Sequence, residues 1–323
     1  MEYIKINGVD NKISRIAFGC AIAPMLAGEN VHELLDACVD MGINTFDTAE
    51  NYGQSEISLG NWIRDRKNRD DIVVISKGCH PYGRDRVTPE DLITDIENSF
   101  KRLGTDYIDI YFMHRDDLKI EPGIMVEILN EYYKKGKIGA FGGSNWTHER
   151  IAQANEYAGK HGLVPFTVSS PNFGLADQIG DPFGGGAGCV SIAGPGNIEA
   201  RDWYTNNDIT AFAYSSLARG FFSGRVSSDK PEEAGTILDE FAVRGFCYPE
   251  NFERLRRTEI LAKEKNCTVP QLALAWALAQ PVKSVFLVSA QSDERMRSNI
   301  KAFDIELSKD EIEWLDLRKD EME

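Results

Sequence analysis

Short apolar runs alternate along this chain with longer stretches in which apolar residues recur every three or four positions. Most of the short runs are too apolar to leave one face in water, which is typical of parallel strands that are covered on both sides. Eight runs are predicted as strands, at residues 16–19, 43–47, 72–76, 108–113, 138–142, 166–170, 209–214 and 284–288.

Residues that begin and end helices stand between these runs. Thr88 and Pro89 predict the start of a helix that ends at Leu103, before Gly104. Further helix starts are indicated by Asn30, ahead of a helix over 31–41, and by Thr268 and Ser308.

Eight strands that are each followed by a helix close most economically into an α/β fold of the (β/α)8 TIM-barrel type. A doubly wound sheet would instead need a glycine-rich phosphate turn after its first strand, and the sequence contains no such motif. We expect one domain over residues 1–323, with extra helices before and after strand eight. An N-terminal β-hairpin over 3–6 and 12–16 is expected to close the bottom of the barrel.

One connection departs from the regular alternation. Residues 177–206 carry seven glycines between strands six and seven, and connections of this length are usually functional or mobile. A lid over a ligand and a disordered surface excursion are both compatible with this composition.

Composition narrows the class of function. Of 323 residues, 36 are Lys or Arg and 51 are Asp or Glu, a net charge of −15 that disfavours nucleic acid and membrane partners. The six cysteines include no CxxC pair, so neither a disulfide framework nor a metal site is indicated. The N-terminus resembles no secretory signal, so we expect a cytoplasmic protein that acts on a small molecule. The sequence carries no indication of an oligomeric state.

Four chemically active side chains follow three predicted strands. Asp47, Tyr52, Lys77 and His114 would face one opening, because the carboxyl ends of barrel strands meet there. Together they suit proton transfer to a carbonyl oxygen, with Lys77 lowering the pKa of Tyr52 and Asp47 holding Lys77. His114 would position the substrate oxygen, and a bound hydride donor would supply the electrons.

Several segments in order along the chain resemble the aldo-keto reductases. They are residues 42–56 (GINTFDTAENYGQSE), 99–109 (SFKRLGTDYID) leading to His114, 143–145 (GSN), 213–220 (AYSSLARG), and Arg295 with Asn299. The resemblance implies the catalytic tetrad Asp47, Tyr52, Lys77 and His114, with Tyr52 as general acid in reduction.

The same resemblance implies a nicotinamide cofactor, NADP in preference with NAD possible. It assigns ten cofactor-binding residues: Ser144, Asn145, Ser170, Tyr214, Ser215, Leu217, Ser223, Arg225, Arg295 and Asn299. A 2′-phosphate at Arg295 would form charge-assisted hydrogen bonds. Some positions depart from the family pattern, with serine at 170, 216 and 289 and Gly-Cys-His at 78–80 where an aromatic often follows the lysine.

Plainer interpretations stand beside these assignments. Lys77 could form a Schiff base in an aldolase-like barrel, and Ser144 with Asn145 could cap a helix that starts near Thr147. Arg295 could be a solvated surface charge. Trp146, Tyr82 and Arg115 are candidates to line the substrate pocket.

The sequence therefore favours an NADP(H)-dependent oxidoreductase that interconverts an aldehyde, ketone or sugar-derived carbonyl compound and an alcohol. Two alternatives remain open at this point. One is a cofactor-sensing regulatory subunit like the β-subunits of potassium channels, and the other is a lyase or epimerase that oxidises its substrate transiently.

Overall fold

Eight parallel strands form a closed barrel in the computed structural model, which describes residues 1–184 and 188–322. An antiparallel hairpin of β1 (Tyr3–Ile4) and β2 (Ile13–Ser14) precedes the barrel. The barrel strands are β3 (Ile16–Gly19), β4 (Thr45–Asp47), β5 (Val73–Gly78), β6 (Ile108–Met113), β7 (Ile138–Ser144), β8 (Val168–Ser170), β9 (Thr210–Ala213) and β10 (Ser284–Val288). They follow one another in chain order, and β10 pairs with β3 to close the barrel. The predicted (β/α)8 barrel is confirmed.

All eight predicted strands are present, but several begin or end at other residues. β5 extends past the predicted end at 76 as far as Gly78, so Lys77 lies within the strand, and β7 extends to Ser144. The neighbouring strands account for the extension of β5, because Lys77 pairs with Phe112 and Gly78 with Met113. A ladder partner on the next strand is a tertiary feature, so short apolar runs in the sequence do not show where these strands end.

Helices cover the outside of the barrel. They are α1 (Ala23–Leu26), α2 (His32–Asp40), α3 (Ser55–Arg66), α4 (Pro89–Leu103), α5 (Pro122–Lys134), α6 (His148–His161), α7 (Ile198–Asn206), α8 (Ala234–Ile237), α9 (Glu240–Phe246), α10 (Pro249–Glu264), α11 (Val269–Leu278), α12 (Asp293–Asn299) and α13 (Lys309–Leu315). Short 3-10 turns lie at Arg69–Asp71, Pro195–Asn197, Ala218–Gly220, Pro231–Glu233 and Ile300–Asp304. Within 1–184 and 188–322, no helix has the length and apolar content needed to cross a membrane.

The helix ends follow the predicted capping residues. The Thr88 side chain accepts a hydrogen bond of 3.2 Å from the backbone N–H three residues on, and Gly104 ends α4 with φ +64°. Thr268 and Ser308 each form a capping box with the residue three positions on. The helix predicted over 31–41 is one residue shorter at each end.

The N-terminal hairpin closes one end of the barrel, as predicted. Its residues Ile6, Val9 and Ile13 join the apolar core inside the barrel. Gly8 adopts φ +86° and lies so close to β7 that a Cβ there would be 2.4 Å from the carbonyl oxygen of Gly139. Ligand access is therefore expected at the opposite end, where the strands finish.

The irregular part of the glycine-rich connection ends earlier than predicted. Its last part forms the turn Pro195–Asn197 and helix α7, so the prediction of an irregular connection through residue 206 is wrong at that end. α7 is the helix that returns the chain from β8 to β9 in the regular alternation. Residues 185–187 of this segment lie outside the described residues.

A glycine in β7 provides a test of the barrel register. A Cβ on Gly142 would lie 1.8 Å from the carbonyl oxygen of Val168, its ladder partner on β8. Gly142→Ala should therefore lower the free energy of unfolding by about 1–3 kcal/mol, the usual cost of overpacking. Urea unfolding followed by circular dichroism measures this change.

The same substitution in helix α6 is a matched control. Gly159 is exposed, and a Cβ there would meet nothing within 4 Å. Gly159→Ala should raise the free energy of unfolding by up to about 1 kcal/mol, because alanine is the better helix former. Equal effects of the two substitutions would contradict the described register of β7 and β8.

Candidate active site

All fourteen site residues predicted from the sequence line one cleft of about 1000 Å³. The cleft lies at the carboxyl ends of the strands and extends to helices α10, α11 and α12. Its volume is at the upper end of the range of ligand pockets. The loops that follow the barrel strands thus bring together residues from positions 47 to 299 of the chain.

An ion pair between Lys77 and Asp47 lies at the bottom of this cleft. The Lys77 Nζ donates hydrogen bonds to Asp47 Oδ1 (2.5 Å) and to the carbonyl oxygen of Thr48 (2.9 Å), and both charged side chains are buried. Burial by itself would lower the pKa of Lys77, but Asp47 raises it above its usual range. Lys77 therefore keeps its positive charge at neutral pH.

Tyr52 lies on the loop between β4 and α3, beside this ion pair. The Lys77 Nζ is 5.2 Å from the centroid of the Tyr52 ring. The loop is fixed by backbone hydrogen bonds, because the N–H of Tyr52 donates to Ala49 (3.0 Å) and its carbonyl accepts from Ser55 (2.9 Å).

The pKa of Tyr52 differs from the sequence-based expectation. Burial raises this pKa, and the Lys77 ammonium lowers it by a smaller amount. The prediction of a lowered pKa is therefore wrong for the net shift, although the effect of Lys77 has the expected sign. Burial is a tertiary property that sequence reasoning left out. The consequence is a neutral phenol at pH 7, which can donate a proton.

His114 follows β6 directly and faces Tyr52. The two ring centroids are 5.7 Å apart at an interplanar angle of 73°. Burial lowers the pKa of His114 well below its usual range, and the Lys77 and Arg115 cations lower it further, so the imidazole is neutral. Its Nδ1 is buried and has no hydrogen-bond partner among the described residues. The ring can therefore offer a hydrogen bond without carrying charge.

The charge on Lys77 bears on the alternative in which this lysine forms a Schiff base, as in an aldolase. A Schiff-base lysine needs an uncharged amine, usually obtained by a lowered pKa. Lys77 has a raised pKa and donates to a carboxylate and a carbonyl. This arrangement argues against Schiff-base chemistry at Lys77.

A hydrogen-bonded group of polar side chains lies at the ends of β7 and β8. The Tyr214 hydroxyl donates to Asn145 Oδ1 (2.7 Å), and Asn145 Nδ2 donates to the carbonyl of His114 (3.2 Å). The Ser144 hydroxyl donates to the carbonyl of Ser170 (2.9 Å), while the Ser170 hydroxyl is buried with no partner among the described residues. An unpaired buried hydroxyl is costly, so this position suits a polar ligand group.

The capping interpretation of Ser144 and Asn145 is wrong. Helix α6 begins at His148, and the side chain of Thr147 accepts from the N–H of Arg150 (3.3 Å). Asn145 has φ +60°, a left-handed conformation that is rare outside glycine. Neither Ser144 nor Asn145 therefore caps helix α6, so capping does not explain why these two polar residues stand at the end of β7.

Left-handed residues other than glycine concentrate in the loops that form the cleft. Five of the nine in the described chain follow barrel strands β5, β7 and β9: Cys79, Asn145, Ser215, Ala218 and Arg219. Such conformations are strained and occur often at functional sites. Sequence reasoning had no signal for them, because none is glycine.

The far end of the cleft is positively charged. Arg225, Lys263 and Arg295 line it, and the nearby carboxylate of Glu259 accepts hydrogen bonds from Ser228. Sequence reasoning missed Lys263, since a single lysine on α10 looks like an ordinary solvated charge. Arg295 is exposed yet lines the cleft.

Of the three residues proposed from the sequence to line the substrate pocket, one lines the cleft and two do not. Arg115 lines the cleft, whereas Trp146 is buried behind it and donates from Nε1 to the carbonyl of Arg115 (3.2 Å). Tyr82 is outside the cleft lining and donates to Glu50 (3.0 Å). His80 is half-buried with its ring 4.9 Å from that of His114. No spacing in the sequence pointed to this contact.

Two residues of the glycine-rich connection, Pro182 and Phe183, also line the cleft. The N–H of Val190, near the middle of the connection, donates to Asn145 Oδ1 (3.2 Å). These contacts favour the lid interpretation over a surface excursion for the part of the connection that the structure describes. In the same described ranges, no group of three or more His, Cys, Asp and Glu residues is arranged to hold a metal ion.

A family model for the "Aldo/keto reductase family" matches residues 16–317 of the chain. Similar proteins include Aldo-keto reductase str7 of Strobilurus tenacellus, which is 26% identical over 284 residues and covers 87% of this chain and 78% of its own. L-glyceraldehyde 3-phosphate reductase of Escherichia coli O157:H7 is 25% identical over 304 residues, covering 89% and 83%. A probable voltage-gated potassium channel subunit beta of Arabidopsis thaliana is 25% identical over 319 residues, covering 94% and 92%.

A solved structure shares the fold along nearly the whole length. The crystal structure of a thermostable aldo-keto reductase in complex with the inhibitor epalrestat aligns with a TM-score of 0.71 at 25% identity. The alignment covers 98% of this chain and 99% of that chain.

The buried ion pair can be tested by removing one charge. Asp47→Asn leaves the Lys77 ammonium buried without an anion and should lower the free energy of unfolding by about 3–5 kcal/mol. Adding Lys77→Met to this variant removes the uncompensated charge and should recover part of the loss. Urea unfolding at pH 7 measures both changes.

An exposed aspartate serves as the control. Asp65 lies 3.4 Å from Arg64 on α3, and both side chains are exposed. Asp65→Asn should cost at most about 1 kcal/mol. If Asp47→Asn cost no more than Asp65→Asn, the ion pair would not be buried as described.

Proposed function

The chain belongs to the aldo/keto reductase family, and from this premise we propose that it is an NADP(H)-dependent carbonyl reductase with Tyr52 as proton donor. Membership confirms the resemblance read from the sequence and implies nicotinamide-dependent interconversion of carbonyl compounds and alcohols. The observation that carries the finer proposal is the neutral Tyr52 phenol, which lies beside a buried Lys77–Asp47 ion pair in a ligand-sized cleft.

The residues along the cleft fit a nicotinamide cofactor. The Ser170 hydroxyl is buried and unpaired in the described structure, and it lies next to Ser144 and Asn145. These side chains supply donors and acceptors for a carboxamide. The ring of Tyr214, held by its hydrogen bond to Asn145, offers an aromatic face for a heterocycle.

The other end of the cleft fits phosphate groups. Arg225, Lys263 and Arg295 concentrate positive charge there in a protein of net charge −15. Guanidinium groups bind phosphate oxygens through two parallel hydrogen bonds. We therefore propose a preference for NADP(H) over NAD(H), with Arg295 and Asn299 toward the adenosine 2′-phosphate and Ser215, Leu217, Ser223 and Arg225 toward the pyrophosphate.

The proton-transfer residues act as one unit. A bound reduced nicotinamide supplies the hydride. Tyr52 donates its phenolic proton to the carbonyl oxygen as negative charge develops there, and the Lys77 ammonium stabilises the resulting phenolate. Asp47 keeps Lys77 charged and in place. The neutral His114 imidazole donates a hydrogen bond to the same oxygen and fixes the angle of approach.

Two alternatives differ from this function in what happens to the substrate and the cofactor. A regulatory subunit would bind nucleotide without turnover, and the similarity to a protein described as a potassium channel subunit beta keeps that outcome in the test. A lyase or epimerase would form product without net oxidation of the cofactor. The four groups arranged for proton transfer favour turnover with net reduction.

Removing the Tyr52 hydroxyl tests the proposal. Tyr52→Phe should lower kcat for NADPH-dependent aldehyde reduction by about 100-fold or more, because the general acid is lost. NADPH binding, measured by fluorescence titration, should persist. Tyr107→Phe, a tyrosine at the opposite end of β6, is the matched control and should keep wild-type turnover.

The pH dependence separates Tyr52 from His114 as the acid. Burial raises the pKa of Tyr52 and lowers that of His114, so kcat/KM for reduction should be level between about pH 6 and 9. A fall in rate above about pH 6.5 would assign the acid to a protonated histidine. Tight NADPH binding with no oxidation by any aldehyde or ketone would favour the regulatory alternative.

Coenzyme preference can be tested on helix α12. Arg295→Ala should raise the Kd for NADPH about tenfold by removing a charge-assisted hydrogen bond, and should leave the Kd for NADH nearly unchanged. Arg297→Ala is the control, because Arg297 lies on the same helix, is exposed, and pairs with Asp293 at 3.4 Å. Equal weakening of both coenzymes by Arg295→Ala would contradict a role in 2′-phosphate recognition.

A further inference from the structure

An arginine lies at the end of the cleft that holds Tyr52 and His114. Arg115 follows His114 directly, is half-buried and lines the cleft. We propose that Arg115 binds an anionic group, a carboxylate or a phosphate, carried by the carbonyl substrate. This inference rests on the proposed function and names the substrate class that the site selects.

Arg115 is unusual among the arginines because it has no carboxylate partner. Of nineteen arginines, fifteen lie within 4.0 Å of a carboxylate in the described chain. The four others are Arg115, Arg201, Arg225 and Arg295. Arg201 donates to two backbone carbonyls, and the remaining three all line the cleft. In an acidic protein, this pattern indicates that the cleft selects anions.

Acidic residues beside Arg115 in the sequence and around the Phe183 ring, which Arg115 and Arg219 both contact, are engaged with other groups. Asp116, the next residue, lies 3.0 Å from the Nε of Arg150 on α6. Asp239 pairs with Arg219 at 2.8 Å, and Asp181 accepts from the N–H of Phe183 (3.1 Å).

The charges on the catalytic residues also cancel. The Lys77 ammonium is balanced by Asp47, and both Tyr52 and His114 are neutral at pH 7. The guanidinium of Arg115 is therefore left as uncompensated positive charge at this end of the cleft. A substrate anion would supply the missing partner.

The backbone and the guanidinium of Arg115 are held in place. The carbonyl of His114 accepts from Asn145 Nδ2 (3.2 Å) and from Arg115 Nη1 (2.9 Å). The carbonyl of Arg115 accepts from Trp146 Nε1 (3.2 Å), and its guanidinium carbon lies 5.8 Å from the centre of the Phe183 ring. The other guanidinium N–H groups donate to no residue that the structure describes. A fixed guanidinium with free donors matches carboxylate and phosphate oxygens.

Arg115 is also close enough to act on the same ligand as the catalytic residues. Burial dominates the pKa of Tyr52 and of His114, and the Arg115 cation adds a lowering contribution to each. Arg115 also follows His114 directly, donates from Nη1 to the His114 carbonyl oxygen (2.9 Å) and lines the same cleft, so a compound with its carbonyl oxygen at Tyr52 and His114 would lie beside Arg115. An anionic group on that compound would be held as the carbonyl is positioned.

Two pairs of aldehydes test the inference, and the members of each pair differ in whether they carry the anionic group. Succinic semialdehyde is compared with butanal, and glyceraldehyde 3-phosphate with glyceraldehyde, by kcat/KM with NADPH. We expect the wild-type enzyme to prefer the anionic member of at least one pair by about tenfold or more. The pair that shows the preference identifies carboxylate or phosphate as the group.

Variants connect the preference to Arg115. Arg115→Met should reduce the ratio of anionic to neutral kcat/KM to about one, and Arg115→Lys should retain part of it because the charge remains. Arg64→Met, at an exposed arginine on α3, should keep the wild-type ratio. The ratio should also decrease as salt is added, since screening weakens an ionic contact that is partly open to solvent.

Other results would overturn the inference. Equal kcat/KM for charged and neutral aldehydes in the wild-type enzyme would reject anion binding and leave the proposed function intact. An equal loss for both substrates in Arg115→Met would show that Arg115 only supports His114. If no aldehyde of either kind were reduced, the proposed function would fail first, and the inference with it.

Discussion

The site depends on one buried ion pair, between Lys77 on β5 and Asp47 at the end of β4. A lysine in an apolar barrel would lose its charge without an anion, and a lone carboxylate would take up a proton. Placed 2.5 Å apart, each keeps the other charged. Everything that the cleft offers to a carbonyl group is arranged around this pair, because the fixed positive charge can stabilise an oxygen anion that forms beside it.

The barrel separates stability from chemistry along its axis. At the amino end the hairpin residues Ile6, Val9 and Ile13 fill the interior, and the same apolar core continues between the strands. At the carboxyl end the loops carry polar side chains, unpaired buried atoms and left-handed residues such as Asn145 and Ser215. Burial of apolar side chains at the amino end stabilises the folded state, whereas the strained, polar carboxyl end does not. This distribution is usual in this fold.

The cleft also differs in charge from the protein as a whole. The protein carries a net charge of −15, and fifteen of its nineteen arginines lie within 4.0 Å of a carboxylate in the described chain. Within the cleft, Arg115 at one end and Arg225, Lys263 and Arg295 at the other face the ligand space. A long cleft that is positive at both ends, with a neutral acid at the Arg115 end, is suited to a phosphate-bearing cofactor alongside an anionic carbonyl compound.

The sequence by itself determined the alternation of strands and helices, the barrel and the position of Asp47, Tyr52, Lys77 and His114 at one opening, because local periodicity and strand-end positions carry that information. The ten other predicted residues that share the cleft were implied by the resemblance of the sequence to the aldo-keto reductases. Sequence reasoning misplaced the end of β5, did not foresee the contact of His80 with His114, and gave the wrong net shift for the pKa of Tyr52. These features were decided by tertiary structure. A ladder partner, a ring contact and the loss of water around a phenol all involve residues distant in the chain, and no local pattern records how deeply a side chain is buried.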